Sequence, residues 1–149
     1  MSSGSDSQLE GIVRGFVTLP GGDGERCGIM LRYSTGDPLV VGLVVSRPGH
    51  GSDCWVISRD LLSAGLTGTA GIGDVTVEPV AEQSLPLGVM LRVRDERGEA
   101  RIRIDHQALL LYLERSHVMM PFGSEAQSRQ VDAELDQLLD EGQDPPVVR

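Results

Sequence analysis

Seven short runs of strand character precede the first long helical pattern in this chain, and no other feature constrains the fold as tightly. The runs are Gly11–Leu19, Cys27–Tyr33, Leu39–Val45, Asp53–Ile57, Asp74–Glu78, Gly88–Arg94 and Ala100–Ile104. Turn formers separate them: Pro20-Gly21-Gly22 closes the first, and Pro79 is expected to end the fifth. One short helix interrupts the series. Ser58 can accept from a free amide of its first turn, Arg59–Ala64 continue it, and Gly65 stands where a left-handed stop is wanted. Asp105 then caps a helix running to about Ser116, apolar on nearly every side and so expected to be buried on more than one face. A loop through Pro121 and Gly123 leads to a last helix, with Ser124 and Gln127 as its capping box. Val131, Leu135, Leu138 and Leu139 form one stripe on it, suited to covering the core or a subunit contact. Strands first and helices last is an α+β order, not alternating βα units.

The chain has 149 residues, enough for one domain with a real core. Residues 1–10 read as a flexible N-terminus, 11–140 as a single domain and 141–149 as a flexible tail. Aromatic residues make up only 3%, so the core must be Leu, Val and Ile, with Trp55 as an anchor. The two cysteines, Cys27 and Cys54, lie in strands and read as reduced, buried thiols. The first ten residues carry no secretory pattern and no apolar run approaches the ~20 residues of a membrane helix, so a cytoplasmic location without membrane insertion is expected.

Charge and residue chemistry exclude several functions. All 13 basic residues are arginine, which removes a P-loop lysine, a Schiff-base lysine and a lysine nucleophile together. The formal net charge of −9 disfavours nucleic-acid binding, which draws its affinity from phosphate contacts. His50, His106 and His117 are too scattered for a metal set, and Gly71-Ile-Gly73 lacks the third glycine and the helix of a dinucleotide site. No nucleophile elbow and no distinctive carboxylate pair is present. No enzymatic activity and no cofactor is expected.

The hairpin Leu91-Arg-Val-Arg-Asp-Glu-Arg-Gly-Glu-Ala-Arg-Ile-Arg-Ile104 places Arg92, Arg94, Arg101 and Arg103 on one face if both apolar sets turn inward. A turn centred on Arg97-Gly98 would pair Arg94 with Arg101 and Arg92 with Arg103. Like charges directly opposed are unfavourable, so a solvated face with local acids, a protein contact or an anion must offset them.

Six segments in order resemble the SsgA-like proteins, small cell-division regulators of sporulating actinobacteria. They are Leu31–Val41 with its Arg-Tyr and Asp-Pro, Trp55–Leu66, Gly71–Pro79, Gly98-Glu99-Ala100, Pro121–Glu125 and Val131–Leu139. The resemblance implies two packed antiparallel sheets of about seven short strands braced by C-terminal helices, a fold similar to the Whirly single-strand-binding proteins, and a trimer. It implies a non-enzymatic regulator that helps position or promote sporulation septa at the division site. It further implies recruitment of the tubulin-like GTPase FtsZ with a membrane-associated SsgA-like partner. Candidate partner contacts are the four hairpin arginines, Gly123, expected to supply a positive φ for the turn or to set the angle of the last helix, and the surface pair Arg59 and Asp60 that opens the short helix. The alternative is a single-stranded nucleic-acid binder using the arginine face as its groove; the net charge and the shortage of aromatics for stacking oppose it.

Overall fold

The computed structural model describes residues 6–120 except Pro48, His50, Gln83 and Ser84. Seven strands and two helices follow in the order β1 (Gln8–Thr18), β2 (Glu25–Ser34), β3 (Asp37–Arg47), β4 (Gly51–Ser58), α1 (Arg59–Ala64), β5 (Val75–Glu82), β6 (Leu85–Asp95), β7 (Gly98–Asp105) and α2 (His106–Met119). Every predicted strand is present, longer than its apolar pattern because paired backbone continues past the last buried side chain. β1 begins at Gln8, whose Cα partner is Ser34, and so takes in residues predicted as flexible. The expected last helix and Gly123 lie outside the described residues.

The strands form one antiparallel sheet in the order β4-β3-β2-β1-β7-β6-β5, which corrects the expectation of two packed sheets. β1–β4 make one meander and β5–β7 another. β1 pairs with β7 from Gly15–Ile104 to Thr18–Arg101 and fuses the two. The sheet curls, because its far edges approach each other: α1 packs against β3, β4 and β5, and Arg97 in the β6–β7 turn reaches Asp53 of β4 at 3.2 Å.

Alternation divides each strand between two faces. The inner face carries Val17, Ile29, Leu31, Tyr33, Val41, Leu43, Val45, Trp55, Ile57, Val77, Val89, Leu91, Ile102 and Ile104, all buried, and the helices cover it with Leu62, Leu109, Tyr112 and Leu113. Trp55 is the expected anchor. Tyr112 donates to the Leu9 carbonyl at 2.7 Å and fastens α2 over β1. Both caps form as read: the Ser58 hydroxyl accepts from the Leu61 amide, and the Asp105 carboxylate from the Ala108 amide. α2 runs three residues past its expected end and buries only part of its circumference, since Leu111 and Val118 are exposed. Cys54 is also exposed and Cys27 half-buried, so neither is the fully buried thiol expected.

Two punctuation residues act differently from their reading. Pro79 lies inside β5, opposite Val89. Val77 exchanges main-chain bonds of 2.8 and 2.9 Å with Ala70, away from β6. Pro79, two residues on, faces the same way, so its missing N–H removes no ladder bond. Gly65 is right-handed (φ −69°), not left-handed. It is needed for proximity instead: a Cβ there would sit 2.1 Å from Val77 Cγ1.

Gly65→Ala is therefore expected to cost about 1–3 kcal/mol by overpacking. Urea denaturation will measure it, and the Gly65→Ala/Val77→Ala double variant should lose less than the sum of the two single changes, because removing the Val77 methyls takes away the nearest contact while its Cβ still crowds the site.

Candidate functional site

The two-residue loop Glu96-Arg97 sets the register of the β6–β7 hairpin. The Asp95 carboxylate accepts from the Arg97 amide at 2.8 Å, and Gly98 takes a positive φ of 126°. Asp95 thus pairs with Gly98, Arg94 with Glu99, Arg92 with Arg101 and Met90 with Arg103. The four arginines share one face as expected, but the register is two residues from the predicted one, and only one arginine pair is directly opposed.

That shift places Glu99 among the cations. Its carboxylate meets Arg101 Nε at 2.8 Å and Arg94 Nη2 at 3.5 Å. The hydrogen bond from Arg101 is the main reason its carboxyl is held below the usual glutamate range. Arg103 turns away toward the start of β6. Its Nη2 donates to the Pro86 carbonyl at 2.8 Å, and its Nε lies 3.9 Å from Glu82. The guanidinium occupies space a side chain at Gly88 would need, since a Cβ there would lie 2.6 Å from Cζ. Arg92 stays exposed with no ion pair among the described residues and lines a cleft of about 210 Å³ with Gly73, Asp74, Thr76, Arg94 and Glu99.

Arg59 and Asp60 do not form a surface pair. Asp60 is exposed in the first turn of α1, where its charge complements the helix dipole. Arg59 is 0% exposed. Its guanidinium stacks 4.9 Å over the Tyr33 ring, and Nη1 donates to the Ser116 carbonyl at 3.1 Å and to its hydroxyl at 3.3 Å. Sequence reading missed this burial because the first residue of a short helix normally faces water. The role is structural: Arg59 joins α1 to α2 and β2.

Sequence reading also missed a charged rim. Arg97 bridges Asp95 and Asp53, and Arg47 reaches Asp53 and Glu25. Arg47–Glu25 and Arg97–Asp53 join residues 22 and 44 apart in the chain, beyond any local pattern, while Arg47–Asp53 and Arg97–Asp95 span a turn. Among the described residues no group of three or more His, Cys, Asp or Glu could hold a metal ion, and no helix is long and apolar enough to cross a membrane.

Arg59→Ala should cost about 2–4 kcal/mol, from lost packing on Tyr33 and two lost hydrogen bonds to Ser116, whose carbonyl keeps the Met120 amide, and Arg59→Met less, because it refills the space. Asp60→Ala should stay within about 0.5 kcal/mol; thermal unfolding of the three variants separates the roles. Because Glu99 is depressed in the folded state, its contribution is present above the ordinary glutamate value and is lost as pH falls through the lower folded-state value. Carbon-detected NMR titration should show Glu99 moving upward in Arg101→Ala.

Comparison with known proteins agrees with this architecture. The sequence model of the family described as Streptomyces sporulation and cell division protein, SsgA, matches residues 28–125. The sporulation-specific cell division protein SsgB of Saccharopolyspora erythraea is 34% identical over 111 residues, covering 74% of this chain and 77% of the relative. SsgB of Streptomyces coelicolor is 33% identical over 111 residues, covering 74% and 80%. A solved structure, described in terms of SsgB mutations that correlate to longitudinal cell division during sporulation of S. coelicolor, superposes with a TM-score of 0.76. It has 26% identity and covers 85% of this chain and 98% of that one. A second, the SsgA-like sporulation-specific cell division protein from Thermobifida fusca, also gives 0.76, at 24% identity over 91% and 98% of the two chains. With the family model spanning more than half of the sequence and the relatives sharing both sequence and fold, this chain belongs to the SsgA family of sporulation and cell division proteins.

Proposed function

We propose that this protein is a non-enzymatic scaffold in sporulation-specific cell division, which helps position or promote the septum by presenting repeated copies of one docking surface. The observation that carries the reading is its membership of a family whose relatives are named for sporulation-specific cell division. The partners we assign are FtsZ and a membrane-associated family member, met in the cytoplasm at the future septum. Weak single contacts become avid when several copies are held together.

The outer face of the sheet supports an oligomer. Cα partners align Ile12, Met30, Val44 and Cys54 in one row across β1–β4. Ile12 is 73% exposed, and Val56, in the next row, 67%. A row of apolar residues on the outer face, exposed at Ile12 and Cys54 and half-buried at Met30 and Val44, suits a contact between subunits, and we assign a trimer. The nucleic-acid reading is weaker, because Glu99 neutralises two of the four hairpin arginines and the described outer face carries a single exposed aromatic, Phe16.

A tagged copy should form transverse bands at incipient sporulation septa, and deletion should reduce those septa; diffuse signal throughout sporulation would contradict the reading. Light scattering of the purified chain should give a trimer, and Ile12→Glu with Val56→Glu should shift it to monomer.

A further inference from the structure

The register of β1 gathers charge around Phe16. On the outer face Phe16 lies between Arg26 of β2 and Arg103 of β7. The next row holds Thr18, Arg101 and Arg92, and Arg14 stands two residues before Phe16 on the same face. Phe16 is 44% exposed, with its ring against Gly24. Arg14, Arg26 and Arg92 are exposed and make no ion pair among the described residues. Arg101 is held by Glu99, and Arg103 by the Pro86 carbonyl. The acids nearest the cluster are Glu99, engaged by two arginines, Glu82, 3.9 Å from Arg103 Nε, Glu78 opposite Met90, and Asp74 in the cleft that Arg92 helps to line. A chain of net charge −9 therefore concentrates unpaired positive charge on one part of one face.

We propose that this arginine cluster around Phe16 is a docking site for an extended acidic segment of a partner protein, whose carboxylates pair with Arg14, Arg26 and Arg92 and whose apolar side chain covers the Phe16 ring. The inference rests on the scaffold reading and adds the chemistry of the partner. From Arg26 to Arg92 is three strand spacings across and one row along the strands, roughly 16 Å, the length of about five extended residues. Charge decides the occupant. A peptide with a few carboxylates gains the local attraction, whereas a long polyanion also meets the field of a chain at −9. Guanidinium groups take carboxylates in bidentate geometry, and Phe16 gives such a segment an apolar anchor beside them.

The test is fluorescence anisotropy with the full chain and a labelled dodecapeptide of alternating glutamate and leucine, beside its lysine–leucine counterpart and a single-stranded DNA 20-mer. The acidic peptide should bind, weaken with added salt, and lose roughly tenfold or more in affinity in the Arg14→Glu/Arg26→Glu/Arg92→Glu variant. Phe16→Ala should weaken it without changing the salt dependence. Arg115→Glu on α2, as a charge control, should leave binding unchanged, and circular dichroism will confirm that each variant is folded. Equal loss in the Arg115 control, or unchanged binding in the triple variant, overturns the site. Tighter binding of the DNA with the same arginine dependence overturns it in favour of nucleic acid, and loss of self-association in the triple variant overturns it in favour of a second copy as occupant. The titration is independent of sporulation, so normal septation in a deletion strain would refute the scaffold reading and leave the binding result standing.

Discussion

A guanidinium without bulk water holds the architecture together. Arg59 is fully buried, and its charge is met by the face of Tyr33 and by the carbonyl and hydroxyl of Ser116. These three residues belong to α1, β2 and α2. An apolar side chain of similar length would fill the same volume, but it could not choose one orientation of α1 against α2. A fork of N–H donors aimed at a fixed carbonyl can. The desolvation of that charge is the cost of directional packing between two helices with little surface of their own, one of only six residues. Tyr33 is itself fixed, because its hydroxyl donates to the Pro38 carbonyl at 3.2 Å and so anchors the β2–β3 turn.

Once α1 is held, the sheet has no choice but to curl. α1 touches β4 at one edge and β5 at the other, and the Ala70–Val77 bridge shields part of the β5 edge. The rim from Glu25 through Arg47 and Asp53 to Arg97 joins the two meanders on the side away from that helix. Each of those pairs is individually weak, Arg97 being 62% exposed. Their value lies in sign: they bring opposite charges, not like ones, to the place where the two meanders meet.

What could be read from the residues, and what could not, follows from the range of the forces involved. Strand positions and inner faces were legible because alternation reports burial directly, as the inward set Leu31, Leu43, Trp55 and Ile57 shows. Ser58 and Asp105 were legible as caps because a cap is a three-residue interaction. Fusion into one sheet depends on β1 meeting β7, some ninety residues away, and no local pattern encodes it. The hairpin register escaped for a subtler reason. A slip of two residues keeps every side chain on its correct face, so periodicity cannot detect it, and only the Asp95–Arg97 turn contact decides between the registers. Arg59, Gly65 and Pro79 were each assigned the usual role of their residue type. Each does something else because of a neighbour that is remote in sequence or on the far side of an edge strand.

The same alternation separates the requirements of folding from those of docking. Inward residues answer to the core, and outward ones answer only to solvent and partners. Among the outward arginines, Arg94, Arg101 and Arg103 contribute to the fold through Glu99 and the Pro86 carbonyl, and replacing them disturbs local contacts. Arg14, Arg26 and Arg92 make no such contact among the described residues, so the fold gains nothing from their charge. Mutual repulsion makes the cluster mildly unfavourable in the isolated chain. Under the proposed docking that repulsion is relieved by the carboxylates of a partner, so the outer face, which the fold does not need, is where chemistry specific to this protein is tested.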